Sequence, residues 1–112
     1  MKKLRIAGDR RRIVTEDGGR FYLTGDTAWE LFHALSAEEA ELYLTTRAEQ
    51  GFNFVQAVVL AELNGLAKPN FYGRRPLKTN ENGEFDPSLP DTDGDYSYFD
   101  HVEKIVTRAE EL

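Results

Sequence analysis

The chain contains no cysteine, so it forms no disulfide and has no thiolate for catalysis or metal binding. The same absence leaves the redox compartment unreadable. No apolar run approaches the ~20 residues needed to cross a membrane as a helix. The basic start, MKKLRIAGDRRR, is not followed by an apolar stretch of signal-peptide length. As written, the chain is therefore expected to be soluble and cytoplasmic, or secreted or periplasmic if a leader has been trimmed. Histidine is scarce: His33 and His101 lie far apart, with no H-E-x-x-H pattern, so neither a zinc site nor any other metal or cofactor is expected. Proline is confined to one segment, with all four residues between 64 and 97.

What is present fits a single domain. The 112 residues are 40% hydrophobic, enough for a core, and carry a net charge of −6. The charge is uneven: residues 1–20 hold seven Lys/Arg against three Asp/Glu, and the remainder holds seven against seventeen. An acidic body repels phosphate backbones, which argues against nucleic acid as a partner. Arg10-Arg11-Arg12, at a hairpin turn, reads as a solvated edge.

The chain divides into consecutive pieces. Leu4-Arg5-Ile6 and Arg12-Ile13-Val14, separated by Ala7-Gly8-Asp9, read as a leading β-hairpin within residues 1–20. Residues 21–63 read as strand, helix and strand. Phe21–Thr24 is an apolar run that stops at Gly25, and Leu31, Phe32 and Leu35 then fall at helical spacing between Ala28 and Leu35. Ser36 with Glu39 forms an S-x-x-E capping box; Ala40, Tyr43, Leu44 and Ala48 make one apolar stripe, and Gly51 supplies a left-handed stop. Phe52–Leu60, FNFVQAVVL, has the near-continuous apolarity of a parallel strand covered on both faces. Residues 64–97 read as a long loop, of the length usually reserved for function. From Tyr98, the spacing of Phe99, Val102, Val106 and Ala109 predicts a second helix, over 98–112, with no stop signal at its end.

Strand, helix, buried strand, loop and helix open an alternating α/β fold. The expectation is the first two β/α units of a TIM barrel behind a β-hairpin, incomplete as a barrel because a full one needs about 250 residues. Two strands leave apolar sheet edges open, which favours self-association.

In β/α barrels chemistry gathers where strands end. Asp26 and Trp29 follow the first strand; Glu62 and Asn64 follow the second. A carboxylate beside a flat indole suits a sugar, the acid taking hydroxyls and the ring stacking on the apolar face. Each residue has a plainer reading. Asp26, or Thr27, caps a helix; Trp29 packs in the core; Glu30 is a solvated first-turn acid. Gln56, inside an apolar strand, needs a partner for its amide and is either structural glue or part of the site. Glu62 is the hardest to explain by packing, although Lys68 or Arg74 offers it an ion pair. Asp91-Thr92-Asp93-Gly94-Asp95 resembles the start of a calcium loop but lacks the glycine and glutamate such a loop requires at its sixth and twelfth places, and reads as a solvated turn, with a weak adventitious calcium site as the alternative. His33 reads as a satisfied core histidine.

Three motifs in combination, GDTAWELF, R-A-x-x-G-F and Q-A-x-x-L-A-E, lie within LTGDTAWELFHALSAEEAELYLTTRAEQGFNFVQAVVLAELNGLAKPNFYG. This stretch resembles the N-terminal part of the apiosidase-like glycoside hydrolases, (β/α)8-barrel enzymes first catalogued as a domain of unknown function. The flanking hairpin and YFDHVEKIVTRAEEL extend the likeness from about Leu4 to Leu112. The resemblance implies hydrolysis of glycosidic bonds, with plant pectin side chains as one substrate class. Such enzymes generally use two carboxyl groups, which the resemblance places on later strands, so no residue of this chain is expected to be catalytic and the isolated chain is expected to be inactive. It implies a carbohydrate site built from Asp26, Trp29, Gln56, Glu62 and Asn64, with Asn70 and Tyr72 as an outer subsite. The alternative is a non-catalytic half-barrel module that binds carbohydrate or assembles with itself.

Overall fold

The computed structural model describes residues 1–112, and its architecture is open: the Cα radius of gyration is 16.7 Å, against about 13 Å for a compact domain of this length. Three two-stranded sheets alternate with two helices. β1 (Leu4–Ile6) and β2 (Ile13–Thr15) pair antiparallel. β3 (Gly25–Ala28) and β4 (Phe54–Ala57) pair in parallel, with α1 (Ala37–Glu49) between them in sequence. β5 (Leu77–Thr79) and β6 (Phe85–Pro90) form an antiparallel hairpin, and α2 (Tyr98–Glu111) closes the order.

The helix ends follow their local chemistry. Ser36 Oγ accepts from Glu39 N, and the Glu39 carboxylate accepts from Ser36 N, so both partners of the capping box are engaged. Ser97 and Asp100 repeat the arrangement at α2. Gly51, at φ 87°, ends α1. Ser36→Ala is expected to lower stability by about 1 kcal/mol, seen as a lower urea midpoint; an unchanged midpoint would make the cap dispensable.

The core lies between the parallel sheet and the helices, where Leu31, Phe32, Ala40, Leu44 and Ile105 are buried and Val55, Ala57, Val59 and Val102 pack against them. Arg108 of α2 reaches the Glu41 carboxylate of α1 with Nε at 2.7 and 2.8 Å from its oxygens. Tyr98, fully buried, donates its hydroxyl to Val59 O at 2.5 Å and so ties α2 to the chain leaving β4. Burial pushes that phenol up to about 12.

Several sequence expectations are corrected. The first parallel strand is Gly25–Ala28, not Phe21–Thr24; it forms where the backbone finds the β4 ladder, while the apolar run ahead of it leaves Tyr22 and Leu23 exposed. Gly25 does not end the strand. It is needed inside it, because a Cβ there would lie 2.2 Å from Cδ1 of the Phe54 ring. The helix expected between Ala28 and Leu35 does not form: Ala28 ends β3 and Trp29–Ala34 is a run of turns, although Leu31 and Phe32 still point into the core. The strand expected over Phe52–Leu60 is confined to Phe54–Ala57, and within residues 1–112 the face that carries Phe54 and Gln56 is uncovered. The segment 64–97 is not structureless: it holds the β5–β6 hairpin. The buried face of α2 is Tyr98, His101 and Ile105; Val106 and Ala109 are exposed. The two histidine and tyrosine positions were invisible to a pattern built on aliphatic residues.

Candidate functional site

Side chains alternate across the parallel sheet. Asp26, Ala28, Val55 and Ala57 face the helices, whereas Gly25, Thr27, Phe54 and Gln56 face the open side. Thr27 sits opposite Gln56 in the parallel register. Ahead of the strands, Asn53 clamps the two segments: its Nδ2 donates to Tyr22 O at 2.7 Å, its Oδ1 accepts from Thr24 N at 2.9 Å, and its own N–H donates to Thr24 O at 2.9 Å. The C-terminal ends of β3 and β4 consequently open together, and the segments leaving them carry Trp29 and Glu62.

Trp29 directly follows β3 and is 53% exposed. Within residues 1–112 it stands outside the core cluster, and the turn is anchored by Leu31 and Phe32. Glu62 is exposed and its carboxylate has no hydrogen bond or ion pair. Neither proposed cation meets it: Arg74 pairs with Asp91, and the Lys68 ammonium forms no ion pair. Gln56 is exposed, and its amide has no side-chain partner within residues 1–112. Asn64 adopts φ 71° and its carbonyl accepts from Ala67 N and Lys68 N, starting the next turn.

Asp26 departs from expectation. Its Oδ2 accepts from Arg47 Nε at 2.5 Å and from the Tyr43 hydroxyl at 2.9 Å, both on α1. The Arg47 guanidinium, with smaller help from Tyr43, holds the Asp26 carboxyl below the ordinary carboxylate range. The cause is the strand register: placed inside β3 rather than after it, Asp26 points to the helix side, away from Thr27 and Gln56. It fastens strand to helix, and neither caps a helix nor faces the open side.

Asn70 and Tyr72 are also turned inward in part. Asn70 is buried, and its Oδ1 accepts from Tyr72 N and Arg74 N, both at 3.0 Å. The Tyr72 hydroxyl accepts from Ala37 N at 2.8 Å at the start of α1, and its ring packs edge-on to Phe71, Tyr96 and His101. The residue nonetheless keeps 37% of its surface exposed. His33, buried, lies with Nε2 2.7 Å from Lys68 O and accepts Phe71 N at its carbonyl, so the segment after β4 is bound to the turn after β3.

The acidic turn near residue 93 serves the framework. Asp91 takes Arg74 in a two-pronged pair at 2.7 and 2.8 Å, and Asp93 pairs with Lys78. No group of three metal-ligating side chains assembles anywhere in the structure. A cleft of about 330 Å³ between α1 and α2 is lined by Leu44, Ile105 and Arg108, and another of about 400 Å³ by Arg74, Arg75 and Lys78. Neither includes Trp29, Gln56 or Glu62.

Sequence reasoning missed Thr27 and Phe54 on the open face, although period-two alternation from Gln56 would have found both. It also passed over Leu63, which carries no motif.

The family model described as apiosidase-like, catalytic domain, matches residues 7–112. No curated protein matches the chain in sequence. Among solved structures, a glycoside hydrolase family 5 protein from Bacteroides vulgatus ATCC 8482 superposes with a TM-score of 0.76 at 29% identity, over 97% of this chain and 22% of that one. A second, described as a glycoside hydrolase, gives a TM-score of 0.77 at 29% identity, over 98% of this chain and 23% of that one. The chain thus spans less than a quarter of the length of these relatives.

Proposed function

The chain belongs to the apiosidase-like catalytic-domain family, and from that premise we propose that it supplies the opening portion of a glycosidase barrel acting on a plant-type poly- or oligosaccharide. In this reading residues 1–112 are part of one barrel domain: β1–β2 is its leading hairpin, β3–α1 and β4–α2 are its first two β/α units, and β5–β6 is an excursion between β4 and α2. The free edges of the β3–β4 sheet, with Phe54 exposed across it, suit further strands on either side. The same edges suit a second copy in the rival reading, a self-assembling carbohydrate-binding module.

The observation that carries the proposal is the joint opening of β3 and β4, with an exposed indole after one and an unpaired carboxylate after the other. Trp29 stacks on a sugar face, Glu62 accepts from hydroxyls, and Gln56 and Thr27 line the wall. Asp26 acts through Arg47 and Tyr43 by fixing β3 against α1. Asn70 and Tyr72 shape the outer loop, and only Tyr72 retains surface with which to touch a ligand. Glycosidases generally place two carboxyl groups about the scissile bond, one donating a proton to the leaving oxygen and the other attacking the anomeric carbon or activating water. No residue of this chain is assigned either role.

Trp29→Ala and Glu62→Gln are each expected to weaken binding of pectic oligosaccharides about tenfold, as measured by titration calorimetry on the intact protein. Both positions are exposed, so the melting temperature should move little. Unchanged affinity in both variants would overturn the site.

A further inference from the structure

The backbone just past Glu62 is strained in a way that packing does not explain. Leu63 and Asn64 are both left-handed, at φ 51° and 71°. The turn that imposes this is tight: Gly65 N donates to Ala61 O and Glu62 O at 3.2 and 3.1 Å, and a Cβ on Gly65 would lie 2.2 Å from Ala61 O. Asparagine tolerates the left-handed region through its short polar side chain; leucine does not, because its Cβ crowds the following carbonyl. Such strain is normally offset by burial, yet Leu63 is 82% exposed. Glycine would adopt this backbone freely. Leucine here gives up stability and gains no contact within residues 1–112.

We propose that Leu63 is a substrate-contact residue, its isobutyl group covering the C–H face of a sugar ring whose hydroxyls reach the Glu62 carboxylate and the Asn64 amide. This inference rests on the carbohydrate site proposed above and adds a specificity-determining apolar contact to it. Three consecutive exposed residues, polar, apolar and polar, begin five residues past the end of β4, as Trp29 stands past the end of β3. That order matches the amphipathic surface of a pyranose or furanose ring. The left-handed turn keeps the leucine projecting from the protein instead of folding back onto it. Strained backbone concentrated at ligand contacts is a recurring design.

The test separates strain from contact, because the two predict opposite signs in one variant. Leu63→Gly removes both the strain and the side chain. It is expected to raise the melting temperature of the intact protein by a few degrees and to weaken binding of pectic oligosaccharides about tenfold. Leu63→Ala keeps the strain while removing most of the side chain, and should lose affinity to a similar extent with no gain in melting temperature. A higher melting temperature with unchanged affinity in Leu63→Gly would overturn the contact. A lower melting temperature would overturn it too, by showing that the leucine serves the fold. If Trp29→Ala and Glu62→Gln weaken binding while Leu63→Gly does not, this inference alone fails. If none of the three does, or the unaltered protein binds no pectic oligosaccharide, the underlying site fails with it.

Discussion

Asp91→Ala is expected to destabilise the protein by about 3 kcal/mol, through loss of a largely buried charge pair and a backbone acceptor together. The side chain of Asp91 is 9% exposed. Its oxygens accept from Arg74 Nε and from a terminal Arg74 nitrogen, and Oδ2 also accepts from Tyr98 N at 2.9 Å. Its backbone N–H donates to Pro76 O. One residue therefore joins the segment after β4, the base of the β5–β6 hairpin and the first turn of α2. Removing it leaves the buried Tyr98 N–H without that acceptor and strands a guanidinium. Arg74 is about a third exposed and can turn to water, which keeps the cost at the low end of the range for broken buried pairs. The Arg74 guanidinium also holds the Asp91 carboxyl below its ordinary range, with burial working against it. A depressed carboxylate contributes stability above its unfolded value, near 3.9, and that contribution is lost as pH falls through the lower folded value. Urea midpoints should thus fall more steeply below about pH 4 in the unaltered protein than in Asp91→Asn. Equal midpoints for Asp91→Ala and the unaltered protein at pH 7 would overturn the role.

This node was not legible in the sequence, where Asp91-Thr92-Asp93-Gly94-Asp95 read as a solvated turn; its partner Arg74 lies seventeen residues away along a stretch without periodicity. Local chemistry, by contrast, was readable. The Ser36–Glu39 box closes on its own backbone as read, Gly51 takes the left-handed stop its place suggested, and Ser97–Asp100, which the sequence reading did not single out, closes in the same way. The hairpin in 64–97 had a signal too, since Asn82-Gly83 is a turn pair and Gly83 adopts φ 77°. It was hidden because Phe85–Pro90 includes two prolines, which fit only an edge strand. The four-residue error in β3 has a different origin. GDTA has poor strand propensity, and what makes it a strand is its partner: the ladder to Phe54–Ala57, the Phe54 ring over Gly25, and Arg47 and Tyr43 waiting for Asp26. The error carried into the site, since one strand position decides which face Asp26 serves. Trp29 and Glu62 keep the places expected of them, each after a strand, because they lie beyond the strand ends, where register matters less.

Phe32→Ala is expected to cost about 3–5 kcal/mol, the range for emptying a buried phenylalanine position. Trp29→Ala, three residues away, should cost almost nothing. The contrast follows from exposure: Phe32 is 5% exposed in a cluster with Leu31, Ala40, Leu44 and Ile105, while Trp29 is 53% exposed. Both are large aromatics on the same run of turns, and from sequence Trp29 could equally have been core. The division of labour is physical. The turn has only three internal backbone bonds, from Leu31 N to Ala28 O and from His33 N and Ala34 N to Glu30 O, so its anchors do much to fix it: Leu31 and Phe32 in the core cluster with α1 and α2 residues, and His33 bonded to Lys68 O. With those in place, the indole stays exposed past the end of β3 without needing contacts of its own. Emptying the Phe32 site should therefore lower the urea midpoint and also loosen Trp29, weakening oligosaccharide binding even under conditions where the variant remains folded. Trp29→Ala should weaken binding alone. Fluorescence anisotropy of the single tryptophan reports this directly, and a Phe32→Ala variant with the anisotropy of the unaltered protein would mean that the indole is held by something other than its turn.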